Sequence, residues 1–186
     1  QRFGIRRAVY ALGLTRFLPK QIRDMEAMLP NRLPLRGTRH TLPGVILTRG
    51  ERRAQVAYFL GCVQGVMMAE GSKATVEVLA ENGCDVVIPS NVKCCGMPMV
   101  GYGFKDEARE MARHNIDVLM ALNVDAIVTD CATCGSSLKE YPHWLAGDPE
   151  YAERAEQFAT RVRDISEFLA EIGIRPPPGK VDSRVT

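Results

Sequence analysis

CDVVIPSNVKCCG, residues 84–96, is the stretch on which the fold turns. CDVVIP is a short β-branched run set between Gly83 and Pro89, and it reads as a buried strand. The loop after it closes on two adjacent cysteines, Cys94 and Cys95, followed by Gly96. On the amino side, MMAEGSKATVEVLAEN (67–82) has an amphipathic helical pattern that stops at Gly83, and AQVAYFL (54–60) is a second short β-run. On the carboxyl side, KDEAREMARHNIDVLMALN (105–123) predicts a long helix and DAIVTD (125–130) a third strand. Helices near 134–146 and 149–172 follow, the last with Asp148 before Pro149 as its cap. Strands alternating with helices of this length predict an α/β fold: a small, open, mostly parallel Rossmann-like sheet with flanking helices.

The cysteines sharpen this reading. Cys62, the Cys94–Cys95 pair with Gly96, and Cys131 with Cys134 form the pattern C-x31-C-C-G-x34-C-x-x-C. Neighbouring α-carbons lie ~3.8 Å apart, whereas a relaxed disulfide needs ~4.4–6.8 Å, so the adjacent pair is unsuited to bridging itself. Two thiolates side by side suit a multi-metal centre. Each cysteine group follows a predicted strand, and ligands of open α/β sheets collect outside the carboxyl ends of the strands, so three loops would bring five thiols to one rim. Cys134 falls near the start of a helix, where free N–H groups favour thiolate. Gly61, Gly65, Gly96, Gly101, Gly103 and Gly135 surround these turns. Close backbone approach, with amides donating to cluster sulfurs, is their expected use.

Zinc is the chemical rival, because thiolates suit it as well as they suit iron and sulfide. A structural zinc takes four ligands, usually from paired C-x-x-C units; this chain has one such unit and a surplus thiol. A redox dithiol at Cys131 and Cys134 is a second rival that Ala132 and Thr133 neither support nor exclude. Cys84 opens the second strand at the far end from these loops and reads as a small core residue. His40, His114 and His143 have no spaced partner, and GYGF at 101–104 is too short for a dinucleotide fingerprint. No Ser-His-Asp set, P-loop or paired carboxylates stand out.

The chain has 186 residues, 46% of them apolar and 25% charged, enough for one sizeable core and a helical arm. The net charge of +2 divides into +9 over residues 1–53 and −7 over the remainder. No aromatic-basic interleaving accompanies the basic part, so it is read as covering an acidic neighbour and not as binding nucleic acid. Arg6-Arg7 before AVYALGL resembles a signal, but Thr15 and Arg16 interrupt it and no cleavage site follows. No apolar run is long enough to span a bilayer. Cysteines spaced as ligands without secretory context point to the reducing cytoplasm.

Residues 1–29 read as a helical arm, with helices at 6–18 and 20–29 separated by Pro19. Ile22, Met25, Met28 and Leu29 recur at helical spacing and are expected to pack into a core. Residues 30–53, rich in Pro, Gly and Arg, read as an extended linker, 54–172 as the cysteine-rich domain, and 173–186 as a second linker in which VDSRVT starts another strand.

GC at 61–62, CCG at 94–96 and C-x-x-CG at 131–135 together resemble the CCG, or cysteine-rich, domain family. The cysteine-rich subunit of heterodisulfide reductase and the iron–sulfur subunits of glycolate, lactate and glycerol-3-phosphate oxidising enzymes belong to it. The wording of GCVQ (61–64), RHNID (113–117) and LKEYPHWLAGDPEYAERA (138–155) is similar to the glycolate oxidase iron–sulfur subunit. The resemblance covers roughly residues 54–172. It implies a [4Fe-4S] cluster, in heterodisulfide reductase a non-cubane one, held by Cys62, Cys94, Cys95, Cys131 and Cys134 with Gly61, Gly96 and Gly135 around it. It also implies electron transfer from a flavin-containing dehydrogenase subunit that oxidises a 2-hydroxy acid, and attachment to a membrane only through partners. Such subunits carry ferredoxin-like C-x2-C-x2-C-x3-CP runs and a second CCG motif, and this sequence has neither, so it is expected to be an internal piece of a longer chain. The reading from a different class is a zinc-stabilised module that docks subunits.

Overall fold

A computed structural model describes residues 9, 11–27, 38, 41–176 and 179. Its centre is a five-stranded sheet in the order β1-β3-β2-β4-β5, where β1 is Val45–Ile46, β2 Ala54–Tyr58, β3 Cys84–Val87, β4 Ala126–Thr129 and β5 Val162–Asp164. β2, β3, β4 and β5 are parallel, with Val56 beside both Val86 and Ala126 and Ile127 beside Val162. β1 alone runs antiparallel, pairing Val45 with Val87. The predicted α/β architecture and its mostly parallel open sheet are thus present, and no described helix is long and apolar enough to cross a membrane.

Period-2 alternation along the strands splits the core in two. Val56, Tyr58 and Leu60 of β2 and its extension, with Val86 and Val128, face α3 (Ala69–Glu81) and α9 (Ile165–Ile172) through Val76, Leu79, Phe168 and Leu169. Ala57, Phe59 and Ile127 face the other way, onto Ala112, Ile116 and Leu119 of α5 (Lys105–Met120), Leu138 of α6 (Ala132–Lys139) and Phe158 of α8 (Ala152–Ala159). Fully burying one such side chain contributes about 1.5–3 kcal/mol. This is why strands of two to five residues hold a sheet clad with helices on both faces.

Short helices fill the turns: α2 (Gln64–Met67) after β2, α4 (Met97–Gly101) after the cysteine pair, and α7 (Tyr141–Trp144) after α6. Going from β2 out to β3 and back across to β4 makes the gap between the carboxyl ends of β2 and β4 a topological switch point.

The structure departs from the sequence reading in several places. The helix expected near 134–146 divides into Ala132–Lys139 and Tyr141–Trp144. Asp148 does not cap the next helix, which starts at Ala152 with Tyr151 at its N-cap and no side-chain cap bond. The helix expected over 149–172 is broken by β5, and Asp164 at the end of that strand caps α9 with a capping box, accepting from Ser166 N at 2.8 Å while Glu167 accepts from Asp164 N at 3.0 Å. Within the expected linker, Val45–Ile46 adds an edge strand to the sheet, and the Thr48 amide donates to Asp85 at 2.9 Å. In the arm, α1 (Lys20–Ala27) follows a 3₁₀ turn at Leu14–Phe17 where α-helix was expected, and Ile22 and Met25 are 50% and 69% exposed instead of packed. Met28, Leu29, His40, most of the expected 6–18 helix before residue 11, and VDSRVT lie outside the described residues.

Candidate metal centre

Three loops leave the carboxyl rim of the sheet carrying sulfur. Cys62 lies four residues past β2, exposed, just before α2. Cys94 and Cys95 end the loop after β3, and Cys131 follows β4 as the residue that caps α6, with Cys134 in its first turn. Sheet topology therefore brings the cysteines of distant segments to one side of the molecule. Cys62 Sγ and Cys94 Sγ, 32 residues apart in sequence, stand 3.6 Å apart. Cys94 interacts in turn with Cys95, and Cys95 with Cys134. Burial deepens along this row, from exposed Cys62 through half-buried Cys94 to buried Cys95 and Cys134; Cys131 is half-buried. Cys84 is fully buried at the other end of β3, as a core residue would be.

Crowding and burial raise three of these thiols, Cys62, Cys94 and Cys95. Hydrogen bonding to Cys95 and then burial push the Cys94 thiol well above the usual range, Cys95 is raised chiefly by Cys134, and Cys62 chiefly by burial and then by Cys94. Backbone amides work in the opposite sense. Gly96 N–H reaches the Cys94 sulfur, Met97 N–H the Cys95 sulfur, and Val63 N–H the Cys62 sulfur, each favouring the thiolate. Metal ligation takes the thiolate form, so binding a cation here would be coupled to proton release. Among the described residues no three His, Cys, Asp or Glu side chains are placed to share a single metal ion. The three loops nevertheless lie close together, since a Cβ on Gly61 would stand 3.1 Å from Cys134 Sγ and 3.9 Å from Cys131 Cβ.

The glycines differ in what they do. Gly96 has φ +89° and turns the chain from Cys95 into α4; a Cβ there would come within 3.0 Å of the Trp144 ring. At Gly61 a Cβ would meet Cys134 Sγ at 3.1 Å, so its lack of a side chain keeps room beside that sulfur. Gly135 packs on Thr129, and its amide donates to Cys131 O at 2.8 Å within α6, so it is not available to a sulfur.

What holds the adjacent pair in place carries no motif. Asn115 on α5, fully buried, donates through Nδ2 to Cys94 O at 3.0 Å and to the Tyr141 hydroxyl at 3.0 Å, and accepts from Lys93 N at 2.8 Å. Tyr141 on α7 donates to Cys95 O at 3.2 Å, and Ser137 on α6 donates to the same carbonyl at 2.9 Å. Both carbonyls of the pair are thereby satisfied, and three helices fix the backbone that aims the two sulfurs. Tyr141 stacks on Phe158, with ring centroids 5.4 Å apart. Cys131 N donates to Thr129 Oγ1 at 3.3 Å, steadying the third loop. Behind Gly96 a cleft of about 160 Å³ is lined by Val100, Lys105, Arg109, His143 and Trp144. His114, the other described histidine, contacts Asn91 O at 2.7 Å.

Comparisons with known proteins bear on this rim directly. Residues 56–139, from β2 to the end of α6, match the family model of the cysteine-rich domain, CCG. Over 172 residues the chain is 38% identical to the "probable glycolate oxidase iron-sulfur subunit" of Bacillus subtilis, an alignment taking in 92% of this chain and 38% of that protein. Lactate utilization protein A of Shouchella clausii is 32% identical over 63% of this chain and 48% of its own length. An uncharacterized iron-sulfur protein of Methanocaldococcus jannaschii is 37% identical over 66% of this chain and 22% of its own length. The chain thus spans less than half the length of these relatives.

Proposed function

The chain belongs to the CCG family of cysteine-rich domains, and on that premise we propose that it is an iron–sulfur electron-transfer domain of a 2-hydroxy-acid-oxidising complex, such as a glycolate or lactate oxidase. The observation that carries the proposal is the row of thiols from three strand-end loops, with Cys62 and Cys94 sulfurs 3.6 Å apart and backbone amides aimed at the sulfurs. Cys62, Cys94, Cys95, Cys131 and Cys134 would hold a [4Fe-4S] cluster. Bound there, such a cluster supplies one-electron storage and transfer at a potential set by its surroundings.

The chain's own residues do the rest. Asn115, Ser137 and Tyr141 bond both carbonyls of the Cys94–Cys95 pair, which would restrain that loop against reorganisation on a change of charge. Gly96 and Met97 amides offset negative charge on the pair. Burial of Cys95 and Cys134 excludes water from the inner end, while exposed Cys62 marks the edge closest to a partner. Electrons would arrive from a flavin-containing dehydrogenase subunit by way of ferredoxin-like segments of the longer protein, pass this centre, and leave to a quinone or disulfide acceptor on the cytoplasmic side of the membrane. The hydroxy acid is bound on the flavin subunit in this scheme.

Single serine variants test the ligand set. Cys94→Ser and Cys95→Ser should each abolish or convert the visible and EPR signature of the anaerobically loaded protein, whereas Cys84→Ser should leave it intact. An unchanged spectrum in both adjacent-pair variants would remove the five-ligand assignment.

A further inference from the structure

The row of thiols is graded in exposure, and its two outermost members are already in contact. Cys62 is exposed and Cys94 half-buried, their sulfurs 3.6 Å apart, while Cys95, Cys134 and Cys84 are buried. Cys94 cannot bridge relaxed to its neighbour Cys95. Its sulfur faces one accessible thiol from another loop.

We propose that, in the metal-free protein, Cys62 and Cys94 form a disulfide under peroxide, and that this bond gates metal loading of the rim. A peroxide oxidises one thiol to a sulfenic acid with loss of one water; the second thiol displaces hydroxyl from that sulfur as a second water, forming the S–S bond. Two protons and two electrons thus leave the pair for the peroxide. The bond ties the loop after β2 to the loop after β3, removes two of five candidate ligands, and is reversed by thiol exchange at the exposed Cys62 sulfur. The remaining thiols, Cys95, Cys131 and Cys134, are too few to complete the set. Asn115, Ser137 and Tyr141 hold the Cys94–Cys95 backbone without using either sulfur, so the pair stays poised for this closure when no metal is bound.

The gating half of this inference rests on the iron–sulfur reading; the cross-link half does not, and it is read separately. Trypsin separates the relevant cysteines, since Lys73, Lys93, Lys105, Arg113 and Lys139 place Cys62, Cys84, the Cys94–Cys95 pair, and Cys131 with Cys134 on four different peptides. The full chain, freed of metal, is treated with limiting hydrogen peroxide, alkylated, digested and mapped. The expected result is loss of two of six thiols, one cross-link joining peptide 54–73 to peptide 94–105, and its disappearance in Cys62→Ser and in Cys94→Ser but not in Cys95→Ser. A cross-link from 94–105 to 114–139, or overoxidised Cys62 with no cross-link, would overturn the proposal. Iron and sulfide uptake of the mapped, oxidised protein is then compared before and after dithiothreitol. Recovery only after reduction is expected, and equal uptake in both would overturn the gating. Failure of the reduced protein to take up iron at all would count against the iron–sulfur reading alone.

Discussion

Six cysteines of one chemistry divide by environment into two kinds. Cys84 sits inside the sheet with no exposed surface, and burial pushes its thiol up to about 11 against the pull of Arg53 and Arg175. A thiol raised in the folded state contributes stability that is fully present below its unfolded value, near 9, and is lost as pH climbs through about 11. Replacing Cys84 with alanine removes that contribution. The stability gap between parent and Cys84→Ala in urea unfolding of the metal-free protein should therefore be largest at neutral pH and narrow between about pH 9 and 11. A gap that widens there would contradict the buried-thiol account. Cys62 and Cys94, by contrast, are reachable by solvent and are paired sulfur to sulfur. The sequence distinguishes the two kinds through position alone, because Cys84 opens a strand whereas the other five follow strands.

At the scale of elements, the loop that carries the pair is held by helices that arrive much later in the chain. Ser137 and Tyr141 lie 42 and 46 residues beyond the carbonyl of Cys95 that they bind, and Asn115 lies 21 beyond that of Cys94. Their acceptors are backbone carbonyls, which every residue has, so no residue pattern announces the contact. This is why the thiols were legible in the sequence and their support was not. Tyr141→Phe removes one donor to Cys95 O and leaves an Asn115 N–H without its partner, at a cost of about 1–3 kcal/mol for the buried donor. Urea unfolding should show a loss of that order, and Cys94 and Cys95 should alkylate faster in the folded protein; an unchanged alkylation rate would mean that the tyrosine does not restrain the loop. The missed strands have a similar physical cause. β5 is three residues long with two of them charged, and β1 is two residues in a Pro- and Arg-rich stretch, so neither offers a run long enough for alternation to be read. Both exist because a neighbouring strand supplies partners, a tertiary effect that local pattern does not carry. Ile22 and Met25 show the converse: helical spacing is present, but the face it makes is left exposed.

For the molecule as a whole, parallel strand order does what the motif needs. Placing β2 between β3 and β4 gathers segments from residues 62, 94–95 and 131–134 at one rim, and it leaves Cys84 at the opposite one. The match to the cysteine-rich domain family over residues 56–139 spans this unit. One measurement tests the central claim most directly: iron, sulfide and zinc analysis together with EPR of the anaerobically purified chain, oxidised and reduced. The account predicts roughly four irons and matching sulfide per chain with a paramagnetic signal in one redox state. About one zinc with neither iron nor sulfide would contradict it and make the rim a structural site.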